Sequence, residues 1–158
     1  MLCFFRMITI SEKLSKVVEK YEKEHQHPQC IRMHYVGIPL VTLGTMALLG
    51  HAPRLSNFDW RYALLVLNFV YFSILDFKMG LLFVSFVGGL GFFISQYLTL
   101  PVSWAVFIMG WVFAIGGHVL FEKNKPAFFD NFMQTLLGVG PMALLVQALG
   151  AKKKSISR

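Results

Sequence analysis

The sequence predicts an all-α integral membrane protein, a helical bundle with four transmembrane helices, a fifth broken or re-entrant helix and an N-terminal amphipathic helix. Hydrophobic residues make up 56% of its 158 residues and charged residues 15%. This is too apolar for a soluble domain, because small folds leave a large share of their surface exposed. No Asp, Glu, Lys or Arg occurs between Met79 and Phe121. We therefore expect residues 1–158 to form a single membrane domain.

The N-terminal segment, residues 1–34, combines an amphipathic helix with a first group of histidines. The helix is expected from about Ser11 to Glu24, with Ser11 or Thr9 as its N-cap. Its apolar face is predicted to carry Leu14, Val17, Val18 and Tyr21. Such a helix lies on the membrane surface or packs as a solvated helix on the protein, and the pattern leaves both open. Pro28 is expected to end this element, since the residue before proline disfavours helix.

Four apolar stretches within residues 35–121 are expected to cross the membrane: residues 35–50, 60–75, 79–98 and 102–121. Gly37 and Pro39 lie near the start of the first stretch, which predicts a tilted or partly buried helix. A polar loop, residues 122–131, follows the fourth stretch. Residues 132–150 are apolar but interrupted by Gly138, Gly140 and Pro141, which predicts a broken or re-entrant helix, and residues 151–158 form a basic tail.

The net charge is +7, and the basic residues lie at the ends of the chain and in the connections between apolar stretches. This distribution is typical of cytoplasmic segments beside an anionic membrane surface and does not indicate nucleic-acid binding. Membrane lipids are therefore the expected surroundings. A bacterial inner membrane is the favoured location, or the endoplasmic reticulum in a eukaryotic host.

Counting crossings places two polar groups on the same side of the membrane. If the basic N-terminal segment is cytoplasmic, four crossings return residues 122–131 to the cytoplasm. His25, His27 and His34 then lie on the same side as His118 and Glu122, whereas His51 lies on the opposite side. The basic tail is expected on the cytoplasmic side too, so residues 132–150 are not expected to cross fully.

Histidines and a carboxylate gathered on one side suit iron, zinc, copper or nickel, and open coordination positions favour Fe(II) for oxygen chemistry. His118 and Glu122 are four residues apart and share one face of a continuous helix. Taken singly, each histidine is more often an interface or capping residue than a ligand, and residues 122–126 also fit a solvated loop. Lys123 or Lys125 suits a lipid carboxylate or phosphate.

The same residues resemble a family of small membrane proteins that includes a fungal 2-hydroxy fatty acid dioxygenase of phytosphingosine breakdown. The first matching block runs from Tyr21 to Leu40, where a Tyr and a His are followed by Pro, a second His and a Gly-Ile-Pro step. The second block is more specific and contains Gly117-His118, Phe121-Glu122-Lys123, Pro126-Ala127, Asp130-Asn131 and Pro141.

The resemblance implies an Fe(II)-dependent enzyme that uses O2 to shorten a 2-hydroxy fatty acid by one carbon, releasing the carboxyl carbon as carbon dioxide. It implies iron ligands at His25, His34 and His118. The family pairs the first His with a following His or a nearby Asn, where this sequence has Gln26, His27 and Cys30. His27 is therefore a further candidate ligand. Glu122 and Lys123 are candidate catalytic residues, and Lys123 or Lys125 would steer the substrate carboxylate.

Two other functions fit the same pattern. A metal-free membrane protein would bind or move a lipid or small solute, with the histidines as protonatable or hydrogen-bonding groups. A lipid hydrolase would use zinc on the same ligands. Measurement of bound metal distinguishes the metal-free protein from the dioxygenase. Dependence of the activity on oxygen distinguishes the zinc hydrolase from the dioxygenase.

Overall fold

The computed structural model describes residues 9–54, 56–122 and 138–153, and this part of the chain is almost entirely helical. Helix α1 spans Glu12–Glu24, α2 spans Pro28–His51 and α3 spans Trp60–Leu75. Helix α4 spans Phe77–Ser95, α5 spans Leu100–Glu122 and α6 spans Val139–Ala148. Strands β1, Thr9–Ile10, and β2, Lys152–Lys153, form a short parallel pair that joins the two ends of the described chain.

Three of the described helices, α2, α4 and α5, are long and apolar enough to cross a membrane, whereas α3 is apolar but has only 16 residues. Three of the four crossings expected from the sequence, the first, third and fourth, are therefore matched by helices of sufficient length and apolar composition. Helix α3 has the bounds expected for the second stretch. The polar loop is expected at residues 122–131, but Glu122 belongs to α5. The rest of this loop, with Lys123, Lys125, Asp130 and Asn131, lies outside the described residues.

Helix α2 begins seven residues earlier than the expected first crossing, at Pro28 instead of residue 35. Pro28 does not break the helix, because proline is well accommodated in the first turn of a helix, where its missing N–H has no intrahelical partner. The Nδ1 of His27 accepts a hydrogen bond from the Gln29 backbone N–H at 3.2 Å and caps the new helix. His34 is consequently fixed on a helix instead of preceding one.

Helices α2 and α5 pack closely because glycines lie where their backbones meet. A Cβ added to Gly110 would lie 2.5 Å from the Val41 backbone nitrogen, and one added to Gly44 would lie 2.6 Å from the Phe107 Cα. A Cβ on Gly37 would lie 2.8 Å from the Ala114 nitrogen. Small residues at a helix contact are typical of bundles in lipid, where van der Waals packing drives association.

Helix α1 packs on the bundle, as in one of the two arrangements that the sequence leaves open. Ser11 caps it, accepting a hydrogen bond from the Leu14 backbone N–H at 3.2 Å. Leu14 is fully buried and Val18 is 5% exposed. They join a core that contains Ile10, Phe72, Met79, Phe83, Met142 and Val146.

Contacts at the two ends of the bundle give the direction of each helix. At one end, here called the α1 end, the Ser11 backbone N–H donates to the Asp76 carboxylate at 2.7 Å, directly after α3. At the other end, here called the far end, the His51 Nε2 lies 2.8 Å from the Leu98 carbonyl oxygen. Helix α3 starts at the far end, where Arg61 contacts Ser95, and finishes at the α1 end.

The far end is held by a buried ion pair. The Arg61 Nε donates to the Asp59 Oδ1 at 2.9 Å, and its Nη1 donates to the Ser95 Oγ at 3.1 Å. The guanidinium also stacks over the Phe92 ring, 4.3 Å from its centroid. Hydrogen bonds from Arg61 hold the pKa of Asp59 below its usual value.

An Arg61→Met variant is expected to lower the free energy of unfolding by about 1.5–3 kcal/mol at pH 7, because Asp59 loses charge-assisted hydrogen bonds. The depressed pKa of Asp59 means that this stabilisation is complete above its unfolded value of about 4 and is lost as the pH falls below it. Thermal unfolding in detergent at pH 7 and pH 3 measures this, with the exposed Arg32→Met as control. An equal loss at both pH values would contradict the ion-pair explanation.

Candidate metal centre

Three buried histidines meet at the α1 end of the bundle. His25 lies in the turn between α1 and α2, His34 lies in the second turn of α2, and His118 lies near the end of α5. One ligand atom from each lies within 4.8 Å of the others. The ring centroids are 4.5 to 4.9 Å apart, and the side chains are 4% to 6% exposed. The structure thus brings together three of the four histidines that the sequence singled out.

Two of the histidines are oriented by backbone carbonyl groups. The His25 Nδ1 lies 2.7 Å from the Tyr21 carbonyl oxygen, and the His34 Nδ1 lies 2.9 Å from the Cys30 carbonyl oxygen. A carbonyl oxygen only accepts, so each Nδ1–H donates and the Nε2 of the neutral ring keeps its lone pair. This arrangement is the usual outer-shell support of a metal-ligating histidine.

The histidine at the turn is neutral at physiological pH. Burial lowers the pKa of His25 to about 4, outweighing the opposing effect of its hydrogen bond to Tyr21. A neutral imidazole is the form that binds metal. Three converging imidazoles therefore fit iron, zinc, copper or nickel, the metals that the residue types had indicated.

The last turn of α5, His118–Glu122, is a π-helix. Such turns inside α-helices often mark functional sites, because the extra residue redirects side chains. Gly117 gives the site its space. A Cβ there would lie 3.2 Å from the His34 ring and 3.3 Å from the Cys30 Sγ. Gly116 and Gly117 both precede His118 in the sequence, but only Gly117 contacts residues of the histidine group.

Glu122 lies beside the histidines but faces the turn that carries His25. Its Oε1 accepts hydrogen bonds from the backbone N–H groups of Gln26 and His27, at 2.8 and 2.7 Å. The three converging ligand atoms all come from histidines. Sequence spacing placed Glu122 on the same helical face as His118 but gave no indication of these backbone partners.

His27 lies outside the group of three histidines. Its side chain is exposed, its Nδ1 caps α2, and its ring stacks on Phe121 at 5.2 Å between centroids. His51 lies at the far end, as expected. Lys123, the other candidate catalytic residue, lies outside the described residues.

Two residues next to the histidines were not selected as site residues from the sequence. The Tyr21 ring stacks on His25, with centroids 4.0 Å apart, and burial raises the pKa of its hydroxyl. The Cys30 Sγ is fully buried and lies 3.6 Å from the His34 Nδ1. Tyr21 lies four residues before His25 and Cys30 four before His34, and this helical spacing was available in the sequence.

Comparisons with known proteins agree with the resemblance. The family model described as 2-hydroxy-palmitic acid dioxygenase Mpo1-like matches residues 11–150. The 2-hydroxy-palmitic acid dioxygenase MPO1 of Saccharomyces cerevisiae is 26% identical over 120 residues, which cover 74% of this chain and 69% of the yeast protein. No solved structure matches the chain. The family match covers most of the chain, including all three buried histidines, and the chain therefore belongs to the Mpo1-like family.

Proposed function

We propose that the protein is an Fe(II)-dependent dioxygenase that shortens 2-hydroxy fatty acids by one carbon. A 2-hydroxy fatty acid and O2 would give the fatty acid one carbon shorter, carbon dioxide and water. The bond between the carboxyl carbon and the hydroxyl-bearing carbon breaks, the two carbons lose four electrons together, and one O2 accepts them. The reaction therefore balances without an external reductant. The observation that carries the proposal is the group of three buried histidines in a member of this family.

His25, His34 and His118 would hold the metal. Bound iron would supply open positions at which O2 and the oxygen atoms of the substrate meet. The chain's own contribution is to orient His25 and His34 through the carbonyl groups of Tyr21 and Cys30, and to keep the His25 imidazole neutral through burial. We leave His27 out of this ligand set, because its side chain is exposed and lies outside the group of converging ligand atoms.

A lipid substrate suits the surroundings of His118. Val119 and Leu120, which follow it, are 58% and 65% exposed on a helix long and apolar enough to cross a membrane. An acyl chain in the lipid would lie against them, with its carboxylate near the end of α5. We further propose that Lys123 steers this carboxylate, since it is the next residue after α5.

We also propose that α3 is a fourth crossing and that the site faces the cytoplasm. Helix α3 runs from the far end to the α1 end like a crossing helix, and local thinning of the bilayer accommodates its 16 residues. The site lies at the α1 end, as does the β1–β2 pair. Lysines and arginines are concentrated in the segments at this end, which is the cytoplasmic pattern.

The experiment is turnover of 2-hydroxy-palmitic acid labelled with ¹³C at the carboxyl carbon, by protein purified without oxygen and supplied with Fe(II). Labelled carbon dioxide, the fatty acid one carbon shorter and consumption of one O2 per carbon dioxide are expected. Hydrolysis of a lipid ester without O2 and with zinc bound would identify the hydrolase instead. Lipid binding without metal or turnover would identify the metal-free protein, and either result would reject the dioxygenase.

A further inference from the structure

We infer that Glu122 is a positioning residue that sets the affinity of the three-histidine site for its metal, without ligating the metal itself. This inference rests on the proposed metal site and adds a role for the carboxylate beside it. The observation behind the inference is that the Glu122 Oε1 accepts hydrogen bonds from two backbone N–H groups of the turn between α1 and α2.

The three histidines differ in how firmly the fold holds them. His34 lies within α2 and His118 within α5, and these two helices are locked together at Gly37, Gly44 and Gly110. His25 follows the last residue of α1, in a turn that precedes α2. The relative position of His34 and His118 is therefore fixed by helix packing, whereas that of His25 depends on what holds the turn.

Glu122 ties this turn to the helix end that carries His118. Gln26, which donates one of the two hydrogen bonds, directly follows His25. Glu122, which accepts it, belongs to the same π-helical turn as His118. Both hydrogen bonds are charge-assisted, and the N-terminus of α2 beyond them favours a negative charge. The carboxylate thus links two of the three histidines through short stretches of chain.

The test compares Glu122→Ala, which removes the acceptor, with Glu122→Gln, whose amide oxygen still accepts both hydrogen bonds. Co²⁺ affinity is measured by competition with a chelator, and the absorption spectrum of bound Co²⁺ reports its ligands. Glu122→Ala is expected to weaken Co²⁺ binding about 10- to 100-fold, the usual effect of losing outer-shell support. Glu122→Gln is expected to lose clearly less Co²⁺ affinity than Glu122→Ala. Both variants should keep the wild-type Co²⁺ spectrum at saturation.

A second readout uses the metal-free protein. Hydrogen exchange at the Gln26 and His27 amides is expected to accelerate in Glu122→Ala and to stay near the wild-type rate in Glu122→Gln. Glu12→Ala is the matched control, since Glu12 is an exposed carboxylate paired with Lys16 on α1, and it should change neither readout. Unchanged exchange far from the turn, in α3 and α4, verifies that Glu122→Ala is folded.

The outcomes separate the inference from the proposed function. A changed Co²⁺ spectrum, or Glu122→Gln as weak as Glu122→Ala, would make Glu122 a ligand or a proton-transfer group and overturn the inference. Unaltered exchange at residues 26 and 27 in Glu122→Ala would also overturn it. A wild-type protein that binds no metal, but in which Glu122→Ala accelerates this exchange, would reject the proposed function while leaving the link between Glu122 and the turn established.

Discussion

Replacing His118 with alanine is expected to abolish stoichiometric metal binding and turnover. His118 supplies one of the three ligand atoms that lie within 4.8 Å of one another, and it alone comes from α5. Loss of outer-shell support already costs about 10- to 100-fold in metal affinity or activity, and loss of a ligand itself should cost more. Metal content and turnover of 2-hydroxy-palmitic acid, measured on the same preparation, check this.

His51→Ala is the matched control for His118→Ala. His51 is a histidine of the same chain, but it lies at the far end and contacts the Leu98 carbonyl group. Its replacement is expected to leave metal content at the wild-type level. A His118→Ala protein with wild-type metal content would show that the metal binds elsewhere.

Replacing Gly110 with alanine is expected to destabilise the protein and weaken metal binding together. The new Cβ would lie 2.5 Å from the backbone nitrogen of Val41, and a backbone atom moves away only if the helix moves. Overpacking of this kind costs about 1–3 kcal/mol. Helix α2 carries His34 and α5 carries His118. If the new methyl group pushes the two helices apart, the two histidines should also move apart and the metal site should widen. Thermal unfolding in detergent and Co²⁺ affinity measure the two effects.

Gly89→Ala controls for the change of residue type. Gly89 also lies within an apolar helix, but within the described part of the chain a Cβ there would meet only the Val84 carbonyl oxygen, at 3.9 Å. Alanine should be tolerated there and even favoured slightly, since glycine costs a helix interior roughly 0.5–1 kcal/mol. Equal destabilisation by both substitutions would contradict the close contact of α2 and α5.

Much of the fold followed from the sequence because lipid requires long apolar helices, which are visible without tertiary information. The bounds of α3 and the capping of α1 by Ser11 match the expectation. The start of α2 does not, because proline before an apolar run ends one helix or begins the next, and the pattern does not distinguish the two. The burial of α1 was undecided for a related reason, since the same apolar face fits lipid and protein.

The histidine group was partly visible from the sequence. Counting crossings placed the two polar regions on one side, and the structure brings His25, His34 and His118 together there. The same reasoning did not separate His27 from His25, because two residues of a turn are equally available until backbone geometry assigns one to a helix cap. The partners of Glu122 were likewise invisible, since they are backbone groups about 95 residues away in sequence.

The metal content of the wild-type protein tests most directly whether the three buried histidines bind a metal. The protein is produced in iron-replete cells, purified in detergent without oxygen and analysed for all first-row transition metals. About one iron per chain, retained on dialysis, is expected. Absence of stoichiometric metal, in a protein whose thermal unfolding shows it to be folded, would mean that the three buried histidines do not form a metal centre.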